Sequence, residues 1–307
     1  MIDPVLTDTR DRLADAGALA GVTPDRVTVG DRAILVELSP DDAPVGADTP
    51  LAGVAHRPRG ADEWLPTSDP TLEDLLEPIE IGASVDREPS VGVDPDDADG
   101  PDGGATVGPD PTGRAVAVAT LNALSAPFLE WRDGDPMALL EPSIETITTV
   151  GLFRPAFRTF DDVDVRVIER RAVGQISTPP GVCVSTFEPD EAERAMDGAE
   201  VVFVTGSAFV YGGASRYLEI APPSATVVVI GATASFLPGP LFEAGVDVVA
   251  GAAVEDPDAV RAAIRAGNCG TGLHDSGLRK GYVATQRPSG IRLDPNASDS
   301  LRSTDNP

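Results

Sequence analysis

The stretch from Val201 to Gly251 constrains this chain most. It reads VVFVTGSAFVYGGASRYLEIAPPSATVVVIGATASFLPGPLFEAGVDVVAG, three short β-branched runs separated by glycine-rich turns and two helix-like segments. Val201–Val204, Thr226–Ile230 and, but for Asp247, Val246–Val249 are apolar runs, the pattern of parallel strands buried on both faces. Gly206, Ser207, Gly231, Thr233 and Ser235 fall just past the ends of the first two runs. In an open α/β sheet that carboxyl-end rim is where ligands bind.

Upstream the same rhythm continues. Ile147–Leu152 and Asp164–Ile168 read as the first two strands, Val182–Thr186 as a short third, and Asp190–Met196 as a helix before the run at Ala199–Val204. A helix over Pro257–Ala266 closes the series. Strands alternating with helices predict repeated βα units with right-handed crossovers, hence a Rossmann-like parallel sheet over residues 146–287.

Residues 1–145 read differently, as a smaller α+β domain. Asp3-Pro4 caps and starts a helix, which Gly17 and Gly21 end. Val27–Val29 and Ala33–Leu38 form a hairpin around Gly30-Asp31, and Gly46 to Arg57, including His56, is loop-like. Thr71 and Asp74 resemble a capping signal before Leu75-Leu76. From about 80 to 113 the chain is rich in Asp, Pro and Gly without periodicity, which predicts a flexible acidic insertion. Its carboxylates lack the spacing of a calcium loop. Structure resumes at Arg114 with a buried, alanine-rich helix carrying Asn122. Residues 288–307 are expected to be a disordered tail.

Composition then narrows the function. The 307 residues carry a formal net charge of -27, and of 23 basic residues only Lys280 is a lysine. Acids run along the whole chain, so the acidic surface reads as a halophilic adaptation rather than a patch for one basic partner. At molar salt the Debye length is roughly 3 Å, so a ligand must be held by direct contacts. No basic stripe suits nucleic acid. No run approaches the roughly 18 apolar residues of a membrane span. The N-terminus is unlike a signal peptide, and Cys183 and Cys269 form no CxxC, so a cytoplasmic protein without a disulfide framework is expected.

Candidate chemistry is sparse. The first strand ends in VGLFRP, where only Gly151 of a dinucleotide-binding glycine pattern is present. Glu169 ends the second strand, where an acid often holds ribose hydroxyls. Glu169-Arg170-Arg171 reads equally as a salt-bridged strand end. Thr205-Gly206-Ser207 and Gly231-Ala-Thr233-Ala-Ser235 place small residues and hydroxyls at two strand ends, which suits an anion or polar ligand. Asn122 either satisfies a neighbouring backbone group or reaches a ligand across the domain boundary. Ser207 is not in a Gly-x-Ser-x-Gly elbow, and His56 and His274 are the only imidazoles, so a Ser-His-acid hydrolase is disfavoured. Glu169, Cys269 and His274 are candidate metal ligands, with Asp275 nearby. They are too few and too irregularly spaced for a closed zinc site, and Cys269 and His274 read equally as surface residues.

The segments ATLNAL (119–124), TTVGLF (148–153), IERR (168–171), VVFVTGSAFVYGG (201–213), VVVIGATASFLP (227–238) and LFEAGVDVVAGAAVEDPDAV (241–260) together resemble the putative heavy-metal chelation family. The resemblance implies an enolase-N-terminal-like domain joined to a Rossmann-like domain, with a cleft near Asn122, Glu169, Gly206 and Gly231. It also marks two departures. Tyr211 and Gly213 stand where the family carries asparagine and threonine, and Gly231-Ala-Thr-Ala-Ser235 replaces Gly-Pro-Ser-x-Pro.

Taken together, these residues lead to a protein that binds a small polar ligand or a metal species, such as a divalent or heavy metal ion, in the interdomain cleft. Gly151, Glu169, Thr205, Gly206, Ser207, Gly231, Thr233 and Ser235 form one wall, and Asn122 closes from the other. A nucleotide- or S-adenosylmethionine-dependent enzyme, or a non-catalytic subunit with a degenerate site, are the alternatives. Whether any reaction is catalysed, and whether the chain is a homo-oligomer, stays open.

Overall fold

A computed structural model describes residues 3–41, 51–58, 69–80, 111–153, 156–174, 176–285 and 288–293. The chain opens with α1 (Pro4–Asp15), started as expected: the Asp3 side chain accepts the Val5 N–H at 3.1 Å and Pro4 takes the first helical position. β1 (Val22–Val29), β2 (Ala33–Pro40) and β3 (Ala52–His56) form an antiparallel sheet in that order. β3 corrects the expectation of a loop over Gly46–Arg57. Its short AGVAH run is too rich in small residues to announce a strand, and pairing with the apolar β2 makes it one. Before α2 (Leu72–Glu80), Thr71 and Asp74 exchange reciprocal bonds, Thr71 N–H to Asp74 Oδ2 at 2.8 Å and Asp74 N–H to Thr71 Oγ1 at 3.2 Å. Aspartate thus serves where a capping box usually has Glu or Gln. Of the predicted acidic insertion, 81–110 lies outside the described residues.

α3 (Pro111–Ser125) is buried along nearly its whole length, as a predominantly apolar helix is, with Arg114 and Asn122 among its buried polar exceptions. It lies across β2 and β3. Gly53 permits the approach: a Cβ there would collide with the Ala119 carbonyl and the Ala123 amide. The apolar core that α3 fills is continuous with one face of the second sheet, taking in Val150, Ile168, Val202, Val204 and Val229.

That second sheet contains β4 (Thr146–Val150), β5 (Asp164–Ile168), β6 (Cys183–Phe187), β7 (Val201–Thr205), β8 (Thr226–Ile230), β9 (Val248–Val254) and β10 (Leu278–Ala284), ordered β10-β9-β8-β7-β4-β5-β6. All its neighbours pair in parallel except β10 with β9. From β4 the chain winds outward through β5 and β6, returns to β7 on the other side of β4, and winds outward again. The order reverses between β4 and β7, which opens a crevice at their carboxyl ends. α4 (Ala192–Met196), α5 (Ser207–Tyr211), α6 (Ala214–Ile220), α7 (Gly239–Glu243), α8 (Pro257–Arg265) and α9 (Thr271–His274) follow along the crossovers. α8 is tied back to β2 by the Arg261–Glu37 ion pair, with Arg261 Nε 3.0 Å from Glu37 Oε2.

The expected disorder from Pro288 onward is corrected for 288–293. Ile291 and Leu293 are buried, and Glu141 N–H donates to the Gly290 carbonyl at 2.8 Å. Two apolar side chains in a polar tail suffice to dock it. Residues 294–307, including the Asn296 sequon, lie outside the described residues. Among the described residues no helix is long and apolar enough to cross a membrane.

Candidate functional site

At the crevice, the carboxyl ends of β4, β5 and β7 border a cleft of about 650 Å³. Gly151, Glu169, Thr205 and Ser207 line it from the parallel sheet, and Arg32 and His56 line it from the turn and end of the three-stranded sheet. Gly151 has φ +94°, and a Cβ there would press on Thr205 Cγ2 at 3.0 Å, so conformation and space both require glycine. Its N–H donates to the Ile168 carbonyl, which fixes the turn after β4 against β5. Glu169 is half-buried and its Oε1 accepts the Arg170 N–H at 2.9 Å. Among the described residues no ion pair joins Glu169 to Arg170 or Arg171, so the arginines are not spent on it. Thr205 Oγ1 and Ser207 Oγ share a hydrogen bond of 3.1 Å.

Tyr211, at the end of α5, links the walls. Its hydroxyl is 3.0 Å from His56 Nε2, and the Arg170 guanidinium lies 3.8 Å over its ring. That approach is a cation–π contact, which anchors the arginine beside the ring. The cleft stays open beside Tyr211. Tyr217, deeper in the wall, has its phenol pKa raised, chiefly by burial, and stays neutral.

Around Gly231 a smaller cavity of about 240 Å³ adjoins the first and shares Arg32, His56, Thr205 and Ser207 with it. Gly231, Thr233, Cys269 and His274 line it. Thr233 is buried, and its hydroxyl accepts the His56 backbone N–H at 2.9 Å. The His274 imidazole has its pKa lowered, first by desolvation and then by the Lys280 charge, so its neutral form is favoured.

Asn122 and Ser235 lie elsewhere. They line a separate cavity of about 430 Å³ beside Trp131 and β9. Asn122 is 2% exposed, and its amide nitrogen donates to the carbonyls of Val54 (2.9 Å), Ala232 (3.2 Å) and Thr233 (3.1 Å). Ser235 Oγ donates to the Ala232 carbonyl and accepts the Ala252 N–H, both at 2.9 Å. Gly206 lines none of these cavities. It packs under the next turn, where a Cβ would meet the Ala234 amide at 2.8 Å. The structure therefore brings Gly151, Glu169, Thr205 and Ser207 together, puts Gly231, Thr233, Cys269 and His274 next door, sets Asn122 and Ser235 at a separate cavity, and packs Gly206 against the turn after β8.

The metal candidates do not converge. Among the described residues no group of three His, Cys, Asp or Glu side chains is placed to hold a metal ion. Among the described residues the main cleft offers one carboxylate, Glu169, beside Arg32, Arg170 and Arg171, and the His56 imidazole is bonded to Tyr211. Such a lining, among the described residues, does not fit a bare heavy-metal cation, which is held by several anionic or neutral donors and not by guanidinium groups.

Sequence reasoning missed Arg32 and the positive role of Tyr211. IERR at a strand end does announce Arg170 and Arg171 at the rim. Nothing local announces Arg32, which a hairpin turn far upstream brings to the cleft.

Residues 135–282 match the DUF364 family, described as putative heavy-metal chelation. Among solved structures, the chain is similar to a DUF364-family protein of unknown function from Pyrococcus horikoshii, with 16% identity, a TM-score of 0.67, and coverage of 91% of this chain and 99% of that one. It is also similar to a DUF364-family protein of unknown function from Desulfitobacterium hafniense DCB-2, with 13% identity, a TM-score of 0.59 and the same coverage. At these identities the likeness shows the fold. No curated protein matches the chain.

Proposed function

We propose that this chain binds a small polar ligand in the cleft where its Rossmann-like part, residues 146–287, meets the enolase-N-terminal-like part, residues 1–145. One observation carries the reading. Four polar or backbone-exposing residues from three different strand ends, Gly151, Glu169, Thr205 and Ser207, line a single cavity at the point where strand order reverses. Sheets of this kind place their ligands there. Glu169 serves as hydroxyl acceptor and Thr205 and Ser207 as hydroxyl contacts. The family's description offers a metal species as cargo, but the arginine-lined wall disfavours a bare ion.

A second reading, a nucleotide or S-adenosylmethionine as ligand, is favoured by the position of Glu169. It follows the strand next to β4, as the ribose-binding acid does in dinucleotide-binding sheets. Thermal-shift titration of the full-length protein with ATP, NAD, S-adenosylmethionine, citrate and ZnCl2, each alone, tests both. A true ligand at a hundredfold excess over its Kd stabilises the protein by about 2.7 kcal/mol. The expected outcome is stabilisation by at least one compound, weakened in the Glu169→Gln, Ser207→Ala double variant. Stabilisation unchanged in that variant would remove the site from this cleft, and a response to citrate without ATP, NAD or S-adenosylmethionine would dismiss the second reading.

A further inference from the structure

The wall that does not fit a cation fits an anion. Arg32, Arg170 and Arg171 line the 650 Å³ cleft together with a single described carboxylate, Glu169, in a chain whose formal net charge is -27. Five arginines elsewhere, Arg12, Arg166, Arg194, Arg261 and Arg279, each form an ion pair with a carboxylate. Among the described residues, the side chains of Arg32, Arg170 and Arg171 form none. A positive wall in so acidic a molecule is a local exception. It comes from two segments far apart in sequence, the β1–β2 turn and the end of β5, so no single loop produces it.

Geometry adds to charge. The Arg170 guanidinium carbon lies 3.8 Å from the centre of the Tyr211 ring, and Tyr211 is held by its hydrogen bond with His56, which sits at the end of β3 beside Arg32. A guanidinium held against an aromatic ring keeps N–H donors for whatever enters, and its planar fork matches the oxygens of a carboxylate or phosphate. Such contacts act at touching range and survive in high salt, where long-range attraction does not.

Resting on the reading that this cleft is the binding site, we infer that its ligand carries a carboxylate or phosphate oxyanion gripped by Arg32, Arg170 and Arg171, and that a bare metal cation is not its ligand. The test is hydrogen exchange on the full-length protein in molar KCl with inorganic phosphate, with citrate, or with Zn2+ alone. It is paired with calorimetric titration of the same probes into wild type, Arg32→Gln, and Arg170→Gln with Arg171→Gln. All three arginines are exposed, so the variants keep the fold.

At least one anion is expected to slow exchange in segments 150–153, 168–174 and 205–212. Its affinity should fall about tenfold or more in the variants, as loss of a charged hydrogen bond implies. Zn2+ alone should leave those segments unchanged. Phosphate acting without citrate assigns the phosphate class, and citrate without phosphate the carboxylate class. Protection of these segments by Zn2+ alone overturns the inference while leaving the cleft reading in place. Anion protection confined to other segments overturns both. No protection by either anion, or affinity unchanged in the variants, also overturns the inference.

Discussion

Asn122 and Arg171 are both polar residues that stand out in the sequence, yet one is buried and the other exposed. Asn122 is buried in the seam between the two sheets, and its amide hydrogens are consumed by three backbone carbonyls from β3 and the turn after β8. Arg171 sits exposed on the cleft rim. The seam shows that a polar group whose donors are already used builds structure, because breaking it leaves buried partners unsatisfied. The rim shows the converse: donors left unused beside a cavity are available to a ligand. Mutations should therefore divide cleanly, with seam variants losing stability and rim variants losing binding.

The largest effect is expected at the buried end of the seam. Asp3 caps α1, accepts Ser215 Oγ at 3.2 Å and lies 3.9 Å from Arg114 Nη2, both members of the pair being almost fully buried. Burial is the main influence on both, raising the Asp3 pKa and lowering that of Arg114. Asp3→Ala strands the Arg114 charge and should cost about 4 kcal/mol in urea unfolding. A loss below about 1 kcal/mol would break the assignment of Asp3 to the seam.

Asn122→Ala should follow, at about 3 kcal/mol, since it removes donors from three carbonyls. If instead it weakened citrate binding with stability unchanged, Asn122 would belong with the rim. Gly206→Ala, forcing a Cβ against the Ala234 amide, should cost about 2 kcal/mol by the same assay.

His274 gives a smaller, pH-dependent effect between the two regions. Its folded pKa is lowered below the ordinary imidazole value, so the neutral side chain is the one the fold accommodates. Its contribution to stability is present above about pH 6.5 and is lost as pH falls from there through the lowered folded value, because the unfolded chain takes up the proton first. Unfolding curves across that window should be less pH-dependent in His274→Asn than in wild type. An identical slope would contradict the burial effect. Smallest of all, Arg171→Gln should change stability by no more than about 0.5 kcal/mol, as exposed substitutions do. A larger loss would place Arg171 in the structure rather than at the site.

What the sequence reveals follows the same division. The parallel strands were legible because a strand buried on both faces must be a continuous apolar run, as Val201–Val204 and Thr226–Ile230 are. β10 was not. Its LRKGYVA mixes charge with apolar residues, as an edge strand can, and it is completed by pairing with β9. In the site, Gly151 and Ser207 were legible from their places at strand ends. Asn122 was legible as a polar residue in an apolar helix, but its role depended on which carbonyls the other sheet would bring. Arg32 carried no local sign. Its part in the cleft exists only once the β1–β2 turn lies beside the ends of β5 and β7.

The most direct measurement is anomalous diffraction from crystals of the full-length protein grown with selenate, a heavy oxyanion that reports its own position. The account predicts the strongest selenium peak in the cleft, within hydrogen-bonding distance of the guanidinium groups of Arg170, Arg171 or Arg32. Selenium bound elsewhere with that cleft vacant would contradict it.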